Sequence, residues 1–201
     1  MMTIMTAVRV IAITCVLGLL GACTSKDDLS EPPLPLGNFK LGHNIVIAGK
    51  AQKGPLSREA TSDEWETALK SAMEARFGRY DGDQYFHIGT HVDAYVLAVP
   101  GIPLVAAPKS VLIISINVWD DSTHEKLTAE AKQLTVFEHS EKNTFILGSG
   151  LTNSRTTQIE NLSRNAARMI QRYLLENPEW FGLPPLKTRP DDGKTTVGGN
   201  N

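Results

Sequence analysis

Little in the composition singles out a partner. Lys and Arg number 20 against 22 Asp and Glu. A balance this even gives no electrostatic reason to propose nucleic acid or an anionic surface as the main partner. Cysteine is scarce: Cys15 and Cys23 are the whole supply among 201 residues, and both lie near the start. No internal repeat is visible. Long apolar runs are missing but for one, Val10 to Ala22. At about 13 residues it falls short of the roughly 20 that a membrane-spanning helix needs. What remains is an ordinary globular composition, long enough for one sizeable domain with flexible ends.

The setting of that apolar run is specific. Arg9 stands directly before it, no acidic residue precedes Cys23, and small residues close it. A cationic start, a short apolar middle and a small-residue end make a signal peptide. Its last four residues, Leu20, Gly21, Ala22 and Cys23, resemble the lipobox of bacterial lipoproteins: an aliphatic residue, two small residues, then cysteine. The resemblance implies cleavage after Ala22, a diacylglyceryl thioether on Cys23 and acylation of the new amino group. Residues 1–22 are then a lipoprotein signal peptide, and Cys23 is the lipid-attachment site. Each buried CH₂ contributes about 0.8 kcal/mol, so several acyl chains on one residue make an effectively permanent anchor. Cys15 leaves with the signal peptide and Cys23 is capped, which removes both a cysteine nucleophile and a thiolate metal site. In such lipoproteins an Asp after the cysteine favours the inner membrane. Thr24 here implies the outer membrane, facing the periplasm.

Residues 23–41 are polar and then proline-rich, and are predicted to be a flexible tether. Residues 42–183 are predicted to form a single α+β domain, and residues 184–201 a disordered tail. The first strand is expected over His43 to Ala51. Thr61 and Glu64 fit a capping box, followed by an apolar face of Trp65, Leu69, Met73 and Phe77 and a left-handed stop at Gly78. Gln84 to Val99 alternates as a half-buried strand, with Phe86, Ile88, Thr90, Val92, Ala94, Val96 and Ala98 on one face. Tyr85, His87, His91, Asp93, Tyr95 and Leu97 occupy the other. Ser110 to Trp119 is apolar on both faces and predicted to be central. Lys126 to His139 is a third, more polar strand. The last helix is expected over Thr157 to Asn177, capped by a second box of Thr157 and Glu160, and ended by Pro178.

The order β-α-β-β-β-α, with two one-sided helices, predicts two layers: a mostly antiparallel four-stranded sheet with both helices on one face. This order, together with the lipobox, resembles the small periplasmic domains of several outer-membrane lipoproteins. Among them are the lipopolysaccharide-assembly lipoprotein, auxiliary lipoproteins of ABC-type lipid transporters and the N-terminal part of curli-secretion lipoproteins. The resemblance spans roughly Gly42 to Gly182 and implies an accessory role in envelope assembly or transport.

Catalytic and metal-binding patterns are thin. His87 and His91 share a strand face but stand about 13 Å apart at ~3.3 Å per residue, too far to share one ion. His91 and Asp93 are neighbours without a third ligand. Ser115 and Asn117 interrupt the apolar central strand, as hydrogen-bonded polar groups or as the floor of a shallow pocket. No nucleophile elbow, phosphate-cradling loop or cofactor motif occurs. No catalytic residue, metal or cofactor is therefore assigned. The unusual feature is "PGIPLVAAPK" (Pro100 to Lys109), an apolar connection where polar residues are the rule. It either folds back on the domain or projects, and in the second case Ile102, Leu104 and Val105 would contact a partner or the membrane. The reading is a non-enzymatic accessory or scaffold lipoprotein, held at the membrane through Cys23 with an envelope protein as partner. The alternative is a periplasmic module binding a small apolar or lipidic ligand.

Overall fold

The structure, a computed structural model, describes residues 28–99, 110–138 and 154–185. The chain divides after Pro32. Before that point the described residues hold one 3-10 turn, Asp28–Ser30. Beyond it the described residues form six strands and two helices: β1 (Phe39–Ile47), β2 (Gln52–Lys53), α1 (Ser62–Phe77), β3 (Gln84–Val96), β4 (Val111–Asp120), β5 (Glu125–Lys126), β6 (Lys132–Phe137) and α2 (Arg155–Leu175). A 3-10 turn, Pro178–Phe181, follows α2.

The six strands occupy four lines. β3 and β4 are the long central pair. β1 and then β2 run along the outer side of β3, and β5 and β6 run along the outer side of β4. β4 is antiparallel to its neighbours, as expected, but β1 and β2 run parallel to β3. The crossover helix α1 explains this, since it returns the chain to the end from which β1 started. The sheet is therefore mixed. The third predicted strand is broken: β5 pairs with Trp119 and Asp120, the Leu127 N–H still donates to the Val118 carbonyl at 2.8 Å, residues 128–131 leave the ladder, and β6 resumes opposite Ile116.

Both helices cover one sheet face. Phe86, Ile88 and Val92 of β3 and Leu112, Ile114, Ile116 and Val118 of β4 point under them and are fully buried. α1 contributes Trp65, Leu69, Met73 and Phe77, and α2 contributes Ile159, Leu162, Ala166, Ile170 and Leu174. The capping box forms as predicted, with the Glu64 N–H donating to Thr61 Oγ1 at 3.2 Å and the Thr61 N–H to Glu64 Oε2 at 2.8 Å. The second box does not. Ser154 caps α2 instead, accepting from the Thr157 N–H at 3.1 Å, and the helix starts at Arg155. Gly78 closes α1 in a right-handed conformation (φ −66°), not the left-handed one expected.

The domain begins earlier than the sequence suggested. Leu36 and Phe39, inside the expected tether, are buried. Phe39 is the hub of an aromatic cluster, 5.5 Å from the ring centroids of Tyr80, Phe86 and Phe181 and 5.9 Å from Phe77. The preceding backbone is bonded in as well. The Tyr80 hydroxyl donates to the Leu34 carbonyl at 2.8 Å, and the Asn38 N–H donates to the Phe181 carbonyl at 3.0 Å. Behind Tyr80 the chain of bonds continues, Gln171 Nε2 to the phenol at 2.6 Å and Arg76 Nη1 to Gln171 Oε1 at 2.8 Å. Burial pushes the Tyr80 phenol above its ordinary pKa, so the proton it donates to Leu34 is held.

Candidate interaction surface

The other sheet face carries no helix among the described residues, and two β-bulges decide what it displays. In β1 the register shifts between Leu41 and Asn44, three steps against two on β3. A one-residue slip turns every later side chain to the opposite face. Phe39 thus points to the core, while Ile45 and Ile47 point outward, each 53% exposed. In β3 the shift lies between Val92 and Ala94, which makes Asp93 the extra residue. Past it Tyr95 and Leu97 turn into the core, the reverse of the uninterrupted alternation predicted from sequence. Tyr95 then meets Trp65 at 5.3 Å and donates to the Ala60 carbonyl at 3.0 Å.

One row of the open face reads Ile47, His91, Ser115, Gln133 across four lines of strand. Asp93 stands at its centre. It accepts from Ser115 Oγ at 2.6 Å and from Gln133 Nε2 at 3.2 Å, and its other oxygen lies 2.8 Å from His91 Nδ1. Burial alone would raise this carboxyl. The hydrogen bonds from Ser115, His91 and Gln133 outweigh it and hold the group below the usual aspartate value. Ser115 is thus hydrogen-bonded, as one of its two sequence readings had it. Asn117 likewise accepts from Thr128 Oγ1 at 3.3 Å.

The adjacent row is Ile45, Gly89 and Asn117. The indole of Trp119 lies over Gly89, where an added Cβ would stand 3.1 Å from Cζ3. Nearer the start of β3, His87 Nδ1 accepts from the His43 N–H and its Nε2 faces Asp121, both at 2.9 Å. This arrangement leaves Nε2 as the protonated nitrogen. It also requires Gly42, because a Cβ there would lie 2.4 Å from His87 Nδ1. Phe137, 47% exposed, closes the far edge.

Serine, histidine and aspartate do come together here, but in the wrong order for nucleophilic catalysis. Both Ser115 and His91 bond to Asp93, so the imidazole is not placed to take the serine proton. A carboxylate held below its usual pKa is also a weak base. Among the described residues no three His, Cys, Asp or Glu side chains converge as a metal site would require. The arrangement suits rigid presentation: fixed polar groups in the middle, aliphatic and aromatic groups around them.

A second feature is an apolar groove of about 260 Å³, lined by Pro35, Leu36, Leu175, Pro178, Phe181, Leu183 and Pro184. It is smaller than the roughly 300–1,000 Å³ typical of ligand-enclosing pockets, and no polar side chain lines it to orient a ligand. Cys23, Ile102, Leu104 and Val105, the residues singled out from sequence, all lie outside the described residues. Among the described residues no helix is long and apolar enough to cross a membrane. Ile45, Ile47 and the Asp93 bulge were missed. The signal for the first two is the change of phase at Gly42 and His43, where the alternation begun by Phe39 and Leu41 restarts one residue late.

No protein-family model matches the chain, and no curated protein matches it in sequence. Some solved structures are similar to it at low identity. A protein from Xanthomonas campestris of the DUF330 family is 11% identical, with 75% of this chain and 94% of that chain covered and a TM-score of 0.41. A minor lipoprotein from Acinetobacter baumannii is 16% identical, with 71% and 96% covered and a TM-score of 0.31. The PelC dodecamer from Paraburkholderia phytofirmans is 11% identical, with 67% and 92% covered and a TM-score of 0.32.

Proposed function

We propose that this protein is a lipid-anchored lipoprotein of the cell envelope, with its anchor on Cys23. In this reading its domain is a non-enzymatic scaffold that receives an envelope protein on the open sheet face. The lipobox resemblance supports the location, and Thr24 favours the outer membrane. The observation that carries the role is the open face itself, where Ile45 and Ile47 are half-exposed beside a fully bonded Asp93. Exposed aliphatic groups around ordered polar ones are the composition of a protein-binding patch. Enclosing a small ligand is less well supported, given the size of the groove.

The test is chemical crosslinking in cells followed by recovery from the membrane fraction, with wild type compared against the double variant Ile45→Thr and Ile47→Thr. Threonine keeps the β-branch, and at half-exposed positions each change is expected to cost no more than about 0.5 kcal/mol of stability. The crosslinked partner is expected to be lost while thermal stability holds. Undiminished recovery from the variant would count against this face.

A further inference from the structure

The apolar groove lies where the N-terminal and C-terminal segments of the domain meet. Two proline-rich stretches meet at it: Pro35 and Leu36 line one side, with Pro33 and Leu34 next to them in the chain, and Leu183 and Pro184 line the other, followed by Pro185. Leu34 is 54% exposed, and Pro33, Pro35, Pro184 and Pro185 are exposed too. Segments leaving a domain are ordinarily polar, so an apolar rim at this point calls for something to cover it. The rim is also rigid. The Leu34 carbonyl is held by Tyr80, and Asn38 by the Phe181 carbonyl. Gly37 is confined at φ +62°, where an added Cβ would lie 2.4 Å from the same carbonyl oxygen. Trp180 stands against Phe181, 6.2 Å between ring centroids, and meets Tyr173 edge-on at 5.7 Å. Paired Trp and Tyr beside an apolar surface suit the boundary between headgroups and acyl chains.

From this we infer that the groove end is the face on which the domain rests against a lipid bilayer, with the Pro33–Leu36 and Leu183–Pro185 rim entering the interfacial layer. The inference rests on Cys23 being the lipid-attachment site. Ten steps of chain separate Cys23 from Pro33, a span of at most about 36 Å when fully extended. The rim is the first part of the domain that the anchored chain reaches. The lining offers only Pro, Leu and Phe, so apolar lipid matches it where a headgroup-specific ligand would find no side-chain partner.

The test uses the full lipidated protein in vesicles of phosphatidylethanolamine and phosphatidylglycerol. Pro184→Cys and, at the opposite end of β3, Gln52→Cys each carry an environment-sensitive fluorophore; both positions are exposed. The vesicles contain a lipid spin-labelled close to its headgroup. Protein floating with the vesicles is expected to lose most of its emission at position 184 and little at position 52. Flotation with equal quenching at both positions, or with stronger quenching at 52, overturns the proposal. Failure to float defeats the Cys23 anchor itself, and the groove proposal with it.

Discussion

Glu64 does two things with one carboxylate. It closes the capping box of α1 on the Thr61 N–H, and it accepts both arms of the Arg155 guanidinium, at 2.7 and 2.5 Å, at the start of α2. The Arg155 hydrogen bonds, followed by the Thr61 backbone, lower its pKa to about 2. A carboxyl whose folded pKa is depressed adds stability that is complete above its unfolded value, near 4.5, and is lost as pH falls toward 2. Glu64→Gln should therefore lower stability at pH 7 by about 1 kcal/mol, since the pair is a third exposed and screened by solvent. The same variant should flatten the decline between about pH 4.5 and pH 2. Urea unfolding across that range is the measurement, and parallel curves for variant and wild type would refute the assignment. The capping half of this residue is legible in sequence, because Thr61 and Glu64 stand three apart before an apolar helix. Arg155 is 91 residues away, and no local pattern announces it.

At the scale of elements, the strand β1 tests where the domain starts. A chain beginning at Gly42, the boundary drawn from sequence, would lack Phe39 and Leu36. Loss of a buried Phe typically costs 3–5 kcal/mol, and here it would also open a cluster of four other rings. Such a chain is expected to be unfolded or close to it. One beginning at Pro33 should unfold cooperatively at the temperature of the longer protein. Circular dichroism melts of the two decide the matter, and equal melting would show that Phe39 is dispensable. The helices, the two long strands and their order were readable because their apolar patterns extend over many residues. The rest was not, for identifiable reasons. Each bulge reverses the inward face without changing composition, so Tyr95 and Leu97 were assigned to the wrong side. The parallel direction of β1 follows from the crossover, which alternation does not encode. The buried Gln158, Ser163 and Gln171 of α2 sit beside its apolar stripe and were invisible to a pattern built on apolar residues alone.

For the molecule as a whole, the two surfaces have different origins, and different tasks are proposed for them. The open sheet face arises from two register shifts and exposes Ile45 and Ile47, the contacts proposed for a protein partner. The groove end arises from two proline-rich segments, the first held at its Leu34 carbonyl by Tyr80, and lipid is its proposed partner. They lie on distinct parts of the domain, so the effect of substitutions at one should leave the other's readout unchanged. Both assignments depend on where the chain is held. That makes labelled-palmitate incorporation in a bacterial host, comparing wild type with Cys23→Ala, the most direct measurement. Wild type should carry the label and fractionate with membranes, and Cys23→Ala should carry none. Equal labelling of the two proteins, or no label on either, would contradict the lipid-anchored account.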